Sequence, residues 1–276
     1  MVVHLYKKIT FSLAYQRYMI PFSNEVMNLI FSYVKEKAKG QSLDMALDVG
    51  CGTGRYTLPL SPHFKKVLGI DISESQINVA KQYNTANNVS YMVAPAEKLP
   101  MKNDSVDLVN AGLAAHWFAI NKFGSEAVRV LKTNGCLALH GFYPATEIKY
   151  KDLSHDLNKA MSEMWDTLFQ HLYALKLPSA SDHMFTQYQN IYEAIPLTDK
   201  EWITDIPVKI PMSLPEIIGF IQSFCPFQIL LQNDVKKAEQ FLIQTEKRFR
   251  DILGEEADVA QLNAFIKHYC VLACKH

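Results

Sequence analysis

The sequence predicts an α/β fold in which a mostly parallel sheet is flanked by helices. Residues 46–54 have the pattern of a short apolar strand that ends in a glycine-dense turn, and a helix-like run follows at residues 55–60. A second buried strand, Lys66–Asp71, ends in an acidic residue. Strand, tight glycine turn and helix form the opening of a nucleotide-binding βαβ unit, because there the backbone bends sharply and a ligand approaches it closely.

Composition limits the possible classes of protein. The chain has 276 residues, of which 49% are hydrophobic, and this is enough for one large α/β domain. Lys and Arg number 28, as do Asp and Glu, so the formal charge is zero and we expect no nucleic-acid partner. No apolar run approaches about 20 residues, so we expect neither a secretory signal nor a membrane partner. Five cysteines without C-x-x-C spacing indicate free thiols and a cytoplasmic location.

The glycine spacing differs from that of dinucleotide-binding proteins. Gly50, Gly52 and Gly54 alternate as G-x-G-x-G with Asp48 two residues ahead, whereas the dinucleotide fingerprint is G-x-G-x-x-G. The turn resembles motif I of the class I, Rossmann-like S-adenosylmethionine-dependent methyltransferases. S-adenosylmethionine has no phosphate and carries a cationic sulfonium, so a nearby carboxylate is tolerated. The alternative is a loop with a glycine cluster that binds no ligand.

Asp71 lies about 20 residues past the glycine turn, where an acid accepts both hydroxyls of an adenosine ribose. The alternative role for Asp71 is capping of the helix that is predicted to start near Ser73. We favour ribose binding, because the glycine turn and the acid occur together at the right distance.

The segment after the third predicted strand, Val89–Val93, resembles the adenine-contacting loop of the same methyltransferases. Many relatives have Asp where this chain has Pro95. We therefore expect the backbone N–H of Ala96 or Glu97, or the Glu97 carboxylate, to contact the adenine. On its own, Glu97 would be a solvated loop residue.

Residues 110–118 follow the fourth predicted strand at the carboxyl edge of the sheet, where open α/β folds bind ligands. The sequence His-Trp-Phe in this segment resembles a subfamily that contains trans-aconitate methyltransferase. His116 is a candidate for the methyl-transfer site or for binding the methionine part of the cofactor, and a packed structural histidine is the alternative. Trp117 is a candidate aromatic wall for a sulfonium or a substrate.

A helix is predicted over residues 122–131, a stop and turn at 132–135 and a fifth strand at 136–142. The family places its substrate pocket after this strand, which makes His140 and Tyr143 candidates for orienting an acceptor. Strand packing explains His140 as well. Residues 11–18 carry three aromatic side chains and one Arg, and they form either a lid over the cofactor or a helix packed by its aromatic face.

The resemblance implies S-adenosyl-L-methionine as cofactor and S-adenosyl-L-homocysteine as product, bound on a seven-stranded sheet with an antiparallel last strand. The catalytic candidates are His116, His140 and Tyr143. The cofactor-binding candidates are Tyr15, Asp48, Gly50, Cys51, Gly52, Gly54, Asp71, Ile72, Ala96, Glu97, Ala114 and Trp117.

We expect a single methyltransferase domain with four parts. Residues 1–40 form an N-terminal lid and helix, 41–143 the cofactor-binding core, 144–200 a helical cap insertion and 201–276 the completion of the sheet. The helix predicted at 152–177 either packs by its large apolar residues or closes a pocket that selects the substrate. The last strand is predicted at 265–274.

Four metal-capable side chains alternate on one face near the end of the chain: His268, Cys270, Cys274 and His276. Residues two apart on a strand are about 7 Å apart. That is too far to share one zinc at about 2.0–2.3 Å without other elements. We therefore expect no metal site.

The predicted activity is methyl transfer to a small molecule, directed to oxygen, with a carboxylate as one acceptor. A carboxylate needs no base, whereas a phenol, thiol or ammonium acceptor needs one, and His116, His140, Tyr15 or Tyr18 could supply it. The alternatives are a nitrogen- or sulfur-directed enzyme, a protein or RNA methyltransferase, and a binding protein of this fold without catalysis. The expected assembly is a monomer or homodimer.

Overall fold

Seven strands form one sheet in the computed structural model, which describes residues 9–174 and 183–276. Their order across the sheet is β3-β2-β1-β4-β5-β7-β6. The strands are β1 (Met45–Val49), β2 (Lys66–Asp71), β3 (Val89–Val93), β4 (Val106–Gly112), β5 (Leu131–Lys149), β6 (Asp199–Met212) and β7 (Leu262–Cys274).

The first five strands are parallel, and β7 is reversed. β1 pairs in parallel with both β2 and β4, β2 with β3, and β4 with β5. At the start of β5, the N–H of Asn134 donates to the carbonyl of Lys275, 2.6 Å away and just past the end of β7. The N–H of Lys275 donates to the carbonyl of Gly135 at 3.0 Å. The predicted α/β fold with an antiparallel last strand is confirmed.

Among the described residues, nine α-helices have defined bounds. They are α1 (Ile9–Tyr18), α2 (Asn24–Ala38), α3 (Glu74–Gln82), α4 (Ile120–Val130), α5 (Ser154–Ala174), α6 (Gln189–Ala194), α7 (Leu214–Ser223), α8 (Cys225–Asn233) and α9 (Val235–Leu253). Serine side chains cap α2 and α3: the Ser23 hydroxyl accepts from the N–H of Val26 and the Ser73 hydroxyl from that of Gln76.

The described chain divides into two compact units. The first unit holds residues 21–142, 183–206 and 268–276, and the second holds 9–20, 143–174 and 207–267. The strands β5, β6 and β7 each pass from one unit into the other. The predicted cap insertion, residues 144–200, contributes to both units, and the predicted domain boundaries stay predictions.

Both faces of the sheet are buried in the first unit. Alternate residues of β1 belong to different clusters: Leu47 and Val49 pack with Phe123 of α4, whereas Ala46 packs with Ile30 of α2. Because side chains alternate across a strand, this pattern fixes which face each residue of β1 occupies. The parallel pairing of β1 with β4 places their carboxyl ends side by side, at the point where the strand order reverses. Ligands bind at such points in open α/β sheets.

Apolar helix contacts build the second unit. The Trp165 indole of α5 lies against the rings of Phe220 and Phe224, with centroids 6.5 and 4.9 Å away. Gly219 of α7 leaves room for Tyr18, whose ring a Cβ at position 219 would strike. In the part of the chain that the structure describes, no single helix is both long and apolar enough to cross a membrane. The pair α7 and α8 reaches that length and composition only together, with a bend of 72°.

Two local predictions are wrong. Residues 55–60 are not an α-helix: a turn is followed by a short 3-10 helix at Leu58–Leu60, and Pro59 supplies no N–H for a longer helix. The turn predicted at 132–135 lies inside β5 instead. Val106 pairs with Leu131 and Leu108 with Cys136, so the extra residues of β5 form an irregularity that includes Asn134 at φ 64°. Residues 175–177 of the predicted long helix lie outside the described residues.

Candidate active site

The glycine turn after β1 is packed too tightly for side chains at two of its positions. Gly50 and Gly54 have φ of 67° and 84°, in the left-handed region that favours glycine. A Cβ at Gly50 would lie 2.5 Å from the Cβ of Ala114, and a Cβ at Gly54 would strike the Tyr91 hydroxyl. These two glycines therefore let the turn fit under its neighbours.

Gly52 is the least crowded of the three glycines in the turn. The nearest atom to a Cβ at this position would be Oε1 of Gln76, at 3.7 Å. That oxygen is buried and has no hydrogen-bond partner among the described residues. An open approach to the backbone beside an unpartnered acceptor fits a ligand that brings hydrogen-bond donors to the turn.

Asp71 links the end of β2 to the glycine turn. Its carboxylate accepts from the backbone N–H of Gly52 at 3.0 Å and from that of Ser73 at 2.8 Å. Burial raises the pKa of Asp71, and the two N–H donors counteract part of that effect. Each carboxylate oxygen has two acceptor positions, so one on each remains for a pair of ligand hydroxyls. The cap of α3 is Ser73 and not Asp71.

Asp48 supports the turn from inside the protein. It is fully buried, and it accepts from the Thr57 hydroxyl at 2.5 Å and from Nδ2 of Asn110 at 2.8 Å. Burial raises the pKa of Asp48 to about 6, although both hydrogen bonds favour the charged form. Asp48 thereby connects β1, the residues after the turn and β4.

An apolar surface lies next to Asp71 at the ends of β2 and β3. Ile72 and Val93 are 57% and 48% exposed, which is unusual for aliphatic side chains beside a buried sheet. Val93 lies opposite Asp71 in the parallel pairing of the two strands. These side chains provide a surface against which a flat purine ring can pack.

The predicted adenine loop is held by Glu97. Oε1 of Glu97 accepts from the backbone N–H of Ala119, 2.9 Å away at the start of α4. Ala96 is buried beside it. The Glu97 carboxylate thus has a bond that positions the loop, and the adenine contact of either residue stays a prediction.

His116 and Trp117 lie in a 3-10 turn, Ala115–Trp117, that follows β4. The preceding Ala114 and the following Phe118 pack on Gly50, so this turn lies directly over the glycine turn. Nδ1 of His116 shares a hydrogen bond of 2.8 Å with the Tyr188 hydroxyl. Burial lowers the pKa of His116 to about 3, which keeps the imidazole neutral.

Tyr188 is the site residue that sequence reasoning missed. It is fully buried, and its backbone is left-handed at φ 68°, which is costly for an aromatic residue. It lies 72 residues from His116 in the chain, and sequence analysis placed it in the cap insertion. No short-range pattern connects the two residues.

His140 of β5 faces a small cavity in the first unit. Its ring packs edge-on against Phe22 and Tyr56, with centroids 4.9 and 5.4 Å away. Its Nε2 is buried and has no hydrogen-bond partner among the described residues. Burial, and next to it the charge of His268, lowers the pKa of His140 to about 3. The cavity is lined mainly by Phe22, Tyr56, Leu113, His140, Phe142 and His268.

The remaining predicted site residues are placed as follows. Cys51 and Ala114 are buried around the glycine turn. Tyr15 of α1 and Tyr143 of β5 belong to the second unit, and their roles stay predictions.

The residues of the first unit fit an adenosylated ligand. The open backbone at Gly52, the remaining acceptor positions of Asp71 and the exposed aliphatic surface at Ile72 match a ligand with hydroxyls and a purine ring. The unpartnered oxygen of Gln76 adds an acceptor at the same place. These residues would hold S-adenosylmethionine.

Comparisons with known proteins point to the same cofactor. Residues 47–139 match the methyltransferase domain family. A Dictyostelium discoideum protein described as a methyltransferase is 28% identical over 223 residues, which are 80% of this chain and 77% of that protein. A Saccharomyces cerevisiae protein described as an S-adenosylmethionine-dependent methyltransferase is 28% identical over 153 residues, 54% of this chain and 48% of that protein.

One solved structure shares the fold over almost the whole chain. It comes from Anaeromyxobacter dehalogenans and is described as a type II methyltransferase, with a TM-score of 0.68 and 21% identity over 94% of this chain and 100% of that chain. The resemblance to the trans-aconitate methyltransferase group stays a prediction. Residues 47–139 therefore form a methyltransferase domain, and the glycine turn and the fold agree with S-adenosylmethionine as its cofactor.

Proposed function

We propose that this enzyme methylates an oxygen atom of a small molecule, and that the preferred acceptor is a carboxylate. The observation that carries the proposal is His140, a buried, neutral imidazole that faces a cavity with an unpartnered Nε2. A cytoplasmic location is part of the same proposal.

The chemistry of methyl transfer separates the possible acceptors. A lone pair of the acceptor forms a bond to the methyl carbon while the carbon–sulfur bond breaks and its electron pair stays on sulfur. A carboxylate already has a free lone pair and loses no proton. A phenol or an ammonium group, with a pKa of about 10, would first have to be deprotonated.

The two candidate histidines are weak bases. The pKa values of His116 and His140 are both lowered to about 3 by burial. A base this weak gives little help to an acceptor that must lose a proton near neutral pH. A neutral imidazole is nevertheless a good hydrogen-bond partner. This combination favours an acceptor that has to be held in place and not deprotonated.

In this proposal, His140 donates from Nε2 to one oxygen of the acceptor carboxylate, and the other oxygen attacks. Phe22 and Tyr56 surround the imidazole with aromatic edges and keep water away from it. The Tyr188 hydroxyl fixes the ring of His116 beside the glycine turn. S-adenosylmethionine supplies an electrophilic methyl group when it is bound, and Gly52 and Asp71 hold its adenosyl part.

The test uses S-adenosylmethionine with a tritiated methyl group and a fractionated extract of small molecules. After the reaction, half of each sample is made alkaline and its volatile radioactivity is measured. Carboxyl methyl esters release methanol in alkali, whereas methyl ethers and methylamines do not. We expect volatile label from one fraction, and its mass identifies the acceptor.

Two variants control the assay. Asp71→Ala removes the acceptor of the ribose hydroxyls and should abolish the signal. Asp44→Ala removes a surface carboxylate that pairs with Lys65, and it should keep the signal. An alkali-stable product would contradict carboxylate methylation. Label that stays with precipitated protein would contradict a small-molecule acceptor.

A further inference from the structure

Metal-capable side chains from three strands meet in the first unit, where β5 and β6 begin and β7 ends. The Asp199 carboxylate, the Cys274 thiol and the His276 imidazole offer ligand atoms that all lie within 4.8 Å of one another. The Cys136 thiol of β5 adds a fourth group, because it is hydrogen-bonded to the thiol of Cys274. Cys136 lies at the start of β5, whereas the glycine turn follows the carboxyl end of β1.

We propose that Cys136, Asp199, Cys274 and His276 form a binding site for a divalent transition-metal ion of the zinc class. Thiolate, imidazole and carboxylate are the three ligand types that zinc prefers in proteins, and four of them in a tetrahedral arrangement form a complete site. Ligand atoms about 2.0–2.3 Å from the ion are about 3.3–3.8 Å from one another. Side-chain movements of about 1 Å bring Asp199, Cys274 and His276 to that geometry, and Cys136 approaches the group from beside Cys274.

This proposal revises the expectation from the last strand alone. On one strand, Cys274 and His276 are about 7 Å apart at their backbones, and they need ligands from other elements. The fold brings Asp199 from β6 and Cys136 from β5 to the same place. Neither residue could be assigned to the group from its position in the sequence.

A lysine occupies the position of a cation in the present arrangement. Nζ of Lys37 lies 2.7 Å from Oδ2 of Asp199, and Nε2 of His276 lies 2.8 Å from the same oxygen. A metal ion would take over this role from Lys37, so the ammonium competes with the metal.

An unpartnered hydroxyl faces the same group. The Tyr33 hydroxyl is buried and has no hydrogen-bond partner among the described residues. Nζ of Lys37 lies 4.9 Å from the centroid of the Tyr33 ring, and the same ammonium pairs with Asp199. A donor in this position would hydrogen-bond to a thiolate or carboxylate that ligates the ion, as outer-shell residues do in metal sites.

The four proposed ligands differ in their exposure, and the difference fits an ion that enters from solvent. Cys136 and Cys274 are buried, whereas the His276 side chain is 62% exposed and Asp199 is half-buried. In the metal-free protein, Cys136 and Cys274 are both free thiols. Binding of one divalent ion to two thiols releases two protons to solvent and needs no oxidant or reductant.

The test is a titration of the reduced, chelator-treated protein with Co²⁺, followed by Zn²⁺. Co²⁺ bound to thiolate gives a charge-transfer band in the near ultraviolet, and tetrahedral Co²⁺ gives visible bands. We expect one equivalent of Co²⁺ with both signals, and their loss when Zn²⁺ is added. The double variant Cys136→Ser, Cys274→Ser should lose the charge-transfer band, and Cys225→Ser, which changes a thiol of the second unit, should keep it.

The Lys37→Met variant gives a second measurement, the affinity for Co²⁺, which should rise and therefore cannot be explained by a folding defect. Removal of the competing ammonium should tighten Co²⁺ binding by about tenfold, equivalent to about 1.4 kcal/mol. Circular dichroism on each variant separates a folding defect from the loss of a ligand. A wild-type protein without a thiolate band would overturn the proposal. So would a band that survives the loss of both thiols, or a Lys37→Met variant that binds Co²⁺ more weakly.

Discussion

The two units of this enzyme depend on different kinds of contact: local backbone geometry in the first, and packing between distant side chains in the second. In the first unit, the predicted cofactor site is built from backbone: three glycines in five residues, and an Asp71 carboxylate that accepts from the N–H of Gly52. In the second unit, the contacts join large side chains of helices far apart in the chain, such as Trp165 with Phe220 and Phe224. Short-range backbone geometry leaves a pattern in the sequence, whereas long-range packing does not.

The largest expected effect tests whether the two units are separable. Trp165→Ala removes a buried indole from the second unit and should lower the free energy of unfolding by about 3–5 kcal/mol. Because the predicted cofactor site lies in the first unit, the variant should still bind S-adenosylmethionine within a few-fold of wild type. Urea denaturation and calorimetric titration measure the two quantities.

The control for this variant is Trp202→Ala in the first unit. Trp202 is 37% exposed and donates from its indole N–H to the carbonyl of Gln187. Its removal should cost less than about 2 kcal/mol, since a partly exposed side chain leaves no closed cavity. Loss of cofactor binding in Trp165→Ala would show that the comparison between the units is wrong.

A smaller effect tests whether cofactor affinity in the first unit depends on the backbone of the glycine turn. Gly50→Ala places a Cβ 2.5 Å from that of Ala114, so the turn that carries His116 must move. We expect roughly a 100-fold loss of affinity for S-adenosylmethionine, equivalent to about 2.7 kcal/mol. Gly40→Ala is the matched control, because its φ is 84° and nothing lies within 4 Å of its Cβ. Both variants carry the strain of a left-handed alanine, about 1 kcal/mol, but only Gly50→Ala should lose affinity.

The smallest effect concerns pH and the two buried histidines. Their pKa values are near 3 in the folded protein and near 6.5 in the unfolded chain, so the unfolded chain takes up protons first. The stability they contribute is complete above pH 6.5 and is lost as the pH falls toward 3. At pH 5.5 the loss is about 2–3 kcal/mol for the pair. Protonation of Asp48, whose pKa is about 6, offsets roughly 1 kcal/mol of it.

Urea denaturation at pH 7.5, 6.5 and 5.5 checks this prediction. His140→Asn should halve the loss of stability that His116 and His140 together produce. An unchanged slope in this variant would mean that His140 is already charged in the folded protein, and this would also contradict its assigned role as a neutral donor.

The sequence predicted the parts of the site that depend on local spacing. The glycine turn, the acid at the end of β2 and the turn with His116 follow strands whose ends meet at one edge of a parallel sheet. Tyr188 could not be predicted, because its contact with His116 depends on a left-handed backbone 72 residues away. The group around Asp199 could not be predicted either, because it forms only when β5, β6 and β7 lie next to one another. The α-helix predicted after the glycine turn was wrong because Pro59 prevents it.

The bond between Asp71 and the N–H of Gly52 has an evolutionary consequence. The same carboxylate closes the loop and offers acceptors to a ligand, so two selection pressures act on one position. A descendant that no longer performed chemistry would still need the acid to keep its loop shaped. An aspartate at this position in a related sequence therefore indicates that the loop keeps its shape. It does not by itself show that the related protein is an active enzyme, which requires detection of a product.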